Sequence, residues 1–184
     1  EFCKEFISVP SPVSYYEEIH PFLEKKAKEL GYEVTYDRKR TGYITLEGED
    51  NSKTVCMGAH LDTIGLIVRH ITDEGHLEVR QLGGINYSSI EGEGVTIHTR
   101  DGRKYRGMVI CKSHSVHVFD DARTAPRDEL HMEVILHEDV KSKEDVMNLG
   151  IDHGDVISID PHFEYTPSGY VLSLIHISEP TRPY

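Results

Sequence analysis

The sequence predicts an α/β plus β chain: an α/β piece over residues 1–68, then a compact β-barrel or sandwich over 69–165. Three observations predict it. Up to residue 60 a helical pattern is followed by short β-rich runs. Beyond it, strand-like runs recur between Gly, Asp and Asn turns, with one short helical stretch. Between the two lies "VCMGAHLDTIGL", residues 55–66, where an apolar run is broken by His60 and Asp62 and then resumes.

Taken in order, "SVPSPVSYYEEIHPFLEKKAKELG" opens with a Pro-rich stop and becomes helical. Ile19, Phe22, Leu23, Lys26 and Leu30 share one face, and Gly31 is placed to end the helix in the left-handed conformation. Pro21 belongs in a first turn or splits one off. Ser14 and Glu17 have capping-box spacing. "YEVTYD", "GYITLEG" and "KTVCMGA" then read as strands, and "TVCMGA", with little polar alternation, as one buried on both faces. "TIGLIVRHIT", "GHLEVRQLG", "GVTIHTRDG", "KYRGMVICK", "LHMEVILHE" and "DVISID" are the strands of the second part. Asp101-Gly102 marks a hairpin tip. "KSKEDVMNLG" reads as a helix opened by Ser142 and closed by Gly150. Residues 166–171 lead back toward the first part.

The 184 residues carry a net charge of −12, which excludes a nucleic-acid partner, because backbone phosphates need a basic face. No run approaches the ~18–20 apolar residues that span a bilayer, and no signal pattern opens the chain. Cys3, Cys56 and Cys111 make neither a disulfide framework nor a metal pair, so a reducing cytoplasm is expected. The chain begins with Glu, and a few residues are expected ahead of it. "LSLIHISEPTRPY", residues 172–184, is similar to the translation of a transposase adapter used in sequencing libraries. It is therefore left out of the fold, and the natural chain is expected to continue differently after Val171.

A strand end is where α/β proteins place chemistry. A neutral imidazole there suits zinc or cobalt. A carboxylate two residues on can take a hydrogen bond from the ring's other nitrogen, fixing the tautomer. His60 is thus the candidate metal ligand and Asp62 the candidate catalytic-site carboxylate that orients it. An isolated His-x-Asp pair is also a common cap or surface feature.

Four segments in order give the pair a context. "FISVPSPVSYYEEI", "GAHLDTIGLIVRHI", the pair "GHLEVRQLGGIN" and "GVTIHTRDGRKYRGMVI", and "SKEDVMNLGIDHGDVISID" together resemble the TET-type metallo-aminopeptidases, which include glutamyl aminopeptidases. The resemblance covers most of residues 1–171. It implies a zinc-peptidase-like α/β sandwich, truncated here, with a dimerisation-type β-barrel insert. It also implies two divalent metal ions (zinc or cobalt), peptide substrates cleaved at the N-terminus, and dimers that build large tetrahedral particles. His60 matches the first metal ligand and Asp62 its orienting carboxylate; Thr63 stands where many members have Glu. The family's bridging Asp, its general-base Glu and its other ligands come after the insert, beyond Val171. The fragment is therefore expected to be inactive, since a catalytic zinc site takes about three protein ligands.

Other polar clusters carry weaker expectations. Asp120 to Arg123 reads as a solvated loop. His114 with His117, and His137 to Asp139, have spacings common by chance. His70 and His76 flank a turn and are expected to be exposed. Tyr87, Phe119 and Tyr165 are assigned to a core. One alternative function is a self-association barrel without catalysis. Another is glycoside hydrolysis, which needs a positioned carboxylate pair that the sequence does not show.

Overall fold

Alternation of apolar and polar residues along six strands drives the main feature of the computed structural model, a closed barrel. The structure describes residues 2–173. The elements are α1 (Phe2–Ile7), α2 (Ile19–Glu29), β1 (Thr35–Tyr36), β2 (Gly42–Tyr43), β3 (Gly65–Ile71), β4 (Leu77–Leu82), β5 (Gly94–His98), β6 (Lys104–Cys111), β7 (Met132–Leu136), α3 (Lys143–Asn148), β8 (Val156–Ile159), β9 (Phe163–Tyr165) and β10 (Val171–Ser173). All six expected barrel strands form, in the closed antiparallel order β3-β4-β7-β6-β5-β8.

Every second residue of these strands points inward. Leu66, Val68, Leu77, Val79, Val95, Ile97, Val109, Cys111, Met132, Val134 and Ile157 are buried in one core. Ile71 joins them although it lies three residues after Val68, because a bulge between Val68 and His70 shifts the alternation. Gly107 on β6 admits a close neighbour: a Cβ there would sit 2.7 Å from the Ile135 carbonyl oxygen. The β5–β6 hairpin turns at Asp101-Gly102 as expected, with Gly102 at φ 86°. Ser142 caps α3 by accepting the Asp145 N–H, and Gly150 follows the helix at φ 81°. The barrel strands run from Gly65 to Ile159, so β3 straddles the boundary set at residues 68 and 69.

The first part is sparser. α2 forms where expected, with Gly31 at φ 83° and Pro21 third in the helix, where backbone N–H groups have no helical acceptor. The capping box does not form. Ser14 sits at φ 72° and Tyr15 N–H donates to the Pro12 carbonyl, making a tight turn that delays the helix to Ile19. Leu30 is exposed rather than on the buried face. α1 packs Phe2 and Phe6 against Phe22 of α2 and pairs Glu5 with Lys26.

"TVCMGA" departs most from expectation. Residues 54–59 form no regular element and pair with no strand among the described residues, and Val55 and Met57 are 86% and 93% exposed. A strand buried on both faces needs neighbours on both edges and layers above and below. The described residues supply only the two-residue pair β1–β2. Val171–Ser173 pairs with Phe163–Tyr165, so Leu172 and Ser173 of the segment set aside as foreign lie in a strand. Its remaining residues, 174–184, lie outside the described ones. Tyr87 is buried as assigned, whereas Tyr165 is 66% exposed on the short β9–β10 ribbon.

Candidate functional site

The loop carrying His60 and Asp62 is held by the opening segment. Thr63 N–H donates to the Ser11 carbonyl (2.8 Å), and Val13 N–H donates to the Thr63 carbonyl (3.2 Å). Ser11 Oγ donates to the Leu61 carbonyl (3.0 Å). Pro12 and Thr63 thus form a parallel bridge. Pro12 packs so closely on Gly65 that a Cβ there would lie 2.6 Å from the proline ring. The Pro-Ser-Pro opening therefore acts as a clamp on the residues between the candidate ligand and the barrel.

Within that loop His60 Nδ1 lies 2.9 Å from the Asp62 carbonyl oxygen and 3.6 Å from its carboxylate. A carbonyl only accepts, so Nδ1 carries the proton and Nε2 is the basic nitrogen of the neutral ring. The expected orienting contact thus comes from the Asp62 main chain, with the carboxylate beside it. Both side chains are about half exposed. They line one wall of a cleft of about 580 Å³ between the loop and α2, faced by Tyr16, His20 and Arg40. His20 is stacked between Tyr16 and Tyr36, with centroids 4.9 and 4.4 Å away. Burial, then the nearby Arg40 charge, lowers its pKa and favours the neutral ring.

Among the described residues no group of three or more His, Cys, Asp or Glu side chains converges to hold a metal ion. They do not by themselves fit the two-metal centre that the resemblance implies. The other clusters keep structural roles. Asp120, Asp121 and Arg123 are exposed around buried Ala122. His114 and His117 are exposed, with the His114 ring against Phe119. His137 is exposed, and Asp139 pairs with Lys141. His70 is exposed as expected, but His76 is half-buried and pairs through Nδ1 with buried Glu133 at 2.8 Å.

Sequence reasoning missed a further polar group. His98, at the end of β5, is buried and contacts Tyr15 and Ser158. The one signal for it was its place in a strand whose other face is apolar. No helix among the described residues is long and apolar enough to cross a membrane.

Known proteins resemble the chain in sequence and in fold. A Bacillus subtilis protein, YhfE, named as an inferred aminopeptidase, is 39% identical over 173 residues, covering 94% of this chain and 50% of its own. The TET aminopeptidase of the marine-sediment archaeon Thaumarchaeota archaeon SCGC AB-539-E09 superposes with a TM-score of 0.78 at 23% identity, covering 91% of this chain and 45% of its own. The TET1 peptidase of Pyrococcus horikoshii, which can assemble into a tetrahedron or a large octahedral shell, gives 0.75 at 25% identity, covering 92% and 48%. The chain spans about half the length of these relatives. The family model described as M42 glutamyl aminopeptidase matches residues 41–175, which takes in the His60 loop and the whole barrel. By that match, and by the fold it shares with the TET enzymes, the chain belongs to the M42 glutamyl aminopeptidase family.

Proposed function

We propose that this chain is the N-terminal part of a metal-dependent aminopeptidase that removes N-terminal residues from peptides. The observation that carries the reading is the clamped loop at residues 60–63, inside the family match, with His60 held in the tautomer that leaves Nε2 basic. In this reading His60 ligates one of two divalent ions, zinc or cobalt, and Asp62 orients it. Helix α2 and the β1–β2 pair are the start of a zinc-peptidase-like α/β sandwich. The remaining ligands and the general base belong to the half of the relatives' length that this chain does not span. Three unpaired cysteines suit a reducing cytoplasm.

One imidazole does not hold a dinuclear centre, so the chain alone is inactive. The test is hydrolysis of chromogenic amino-acid amides with added cobalt or zinc. The chain alone gives no turnover. A complete homologous enzyme loses turnover when the imidazole equivalent to His60 is replaced by alanine. Chelator-sensitive activity in the chain alone, or full turnover in that variant, would overturn the assignment.

A second reading rests on the barrel, whose closed core suits a module that pairs copies into a homo-oligomer. The assembly of Pyrococcus horikoshii TET1 supports it. Light scattering after size exclusion separates a dimer from a monomer.

A further inference from the structure

The barrel and the opening segment meet at a partly buried polar seam. On β5 the inward residues are Val95 and Ile97, so His98 stands at the strand's end. Its side chain is nevertheless only 3% exposed, because Tyr15 lies over it with ring centroids 4.7 Å apart. Both ring nitrogens are engaged. Nε2 is 2.8 Å from Ser158 Oγ on β8. Nδ1 is 3.1 Å from Tyr15 Oη and 3.4 Å from Glu18 Oε1. Tyr15 Oη lies 3.0 Å from Glu18 Oε1, and Lys104 Nζ reaches the same oxygen at 2.7 Å.

Donors and acceptors fix the direction of this chain. The Lys104 ammonium only donates, so the Glu18 carboxylate accepts from it and from the Tyr15 hydroxyl. The Tyr15 oxygen then accepts the Nδ1 proton, and Nε2 accepts the Ser158 hydroxyl proton. Each link is satisfied and each proton points toward Glu18, an arrangement in which successive bonds polarise one another. Burial, the largest influence on His98, lowers its pKa and keeps the ring in the neutral form this pattern requires.

From Tyr15 the path to the candidate ligand is short. Tyr15 N–H closes the turn on the Pro12 carbonyl, Pro12 rests on Gly65, and Ser11 and Val13 bond to Leu61 and Thr63. We propose that His98 and Tyr15 are positioning residues: the hydrogen-bond chain Ser158–His98–Tyr15–Glu18 fixes the His60 loop against the barrel. The link to metal binding rests on the function proposed above, but the seam itself does not.

Amide hydrogen exchange on this chain tests it without activity or metal. Tyr15→Phe keeps the ring over His98 and removes only the hydroxyl. Exchange at Val13 and Thr63 should quicken roughly tenfold, the scale of one hydrogen bond. The barrel amides of Val109 and Lys112, bonded to Glu93 and His131, should not change. His98→Leu should produce a larger change at Val13 and Thr63. His98→Asn, which returns a donor toward Tyr15, should restore part of the protection. Unchanged exchange at Val13 and Thr63 in Tyr15→Phe would overturn the proposal. So would equal acceleration at all four amides, which would mark a general contribution to stability. A chain that keeps the seam while the complete enzyme tolerates loss of the His60 imidazole would sink the metal assignment alone.

Discussion

Replacing Glu78 by glutamine should weaken the barrel at neutral pH and matter much less in acid. Glu78 on β4 takes Lys112 Nζ at 2.6 Å and Arg69 Nη2 at 2.7 Å, bridging charges on β3 and just past β6. Its side chain is 18% exposed. Hydrogen bonds from Lys112 first, then from Arg69, hold its carboxyl down from 4.5 to about 2. At full strength that difference corresponds to roughly 3 kcal/mol of folded-state stabilisation. The Lys112 and Arg69 side chains are 38% and 41% exposed, and solvent screening reduces the figure to about 1–2 kcal/mol. Because the folded pKa is depressed, the contribution is present above about 4.5 and is lost as pH falls through about 2. Urea unfolding followed by circular dichroism, on wild type and E78Q at pH 7 and pH 3, isolates it, since other carboxylates titrate in both proteins. The stability gap should be about 1–2 kcal/mol at pH 7 and less than about half of that at pH 3. A gap of equal size at both pH values, or none at pH 7, would refute the reasoning.

Two other outcomes follow from the packing. Gly107→Ala places a methyl 2.7 Å from the Ile135 carbonyl and 3.0 Å from Val134 Cγ1, both in the opposed strand. It should cost about 1–3 kcal/mol, read as a lower urea midpoint with an unchanged slope. Hydrogen exchange should be slow across β3 to β8 and fast over residues 43–60, where Tyr43, Leu46, Val55 and Met57 are exposed. Equal protection in both regions would contradict the described packing.

The sequence made the barrel legible because its signals are local. Gly102 and Gly150 mark turns, Ser142 marks a helix start, and paired apolar positions mark the inward face of each strand. One local signal lost to another: Ser14 and Glu17 have the spacing of a cap, but the Pro12 carbonyl, three residues before Tyr15, takes the Tyr15 amide into a turn. The other failures are where the partner is distant. "TVCMGA" has the composition of a buried strand, yet composition does not supply the neighbours that bury one. The His60 loop was visible as a motif, whereas its clamp by Ser11–Val13 spans 50 residues and has no sequence spacing to betray it. His98 was hidden for the same reason: Tyr15, which covers it, is 83 residues away.

Closure of the six strands also constrains how two copies of the barrel could meet. Neighbouring strands take up most of the barrel's backbone rim, the main exception being β4 beyond Glu78, which β7 pairs only at Leu77 and Glu78, so recruitment of another chain's strand is confined to short stretches. Elsewhere, contact between such rings is knitted from protruding side groups and connecting loops. Surface substitutions could then alter self-assembly while the underlying architecture stayed whole.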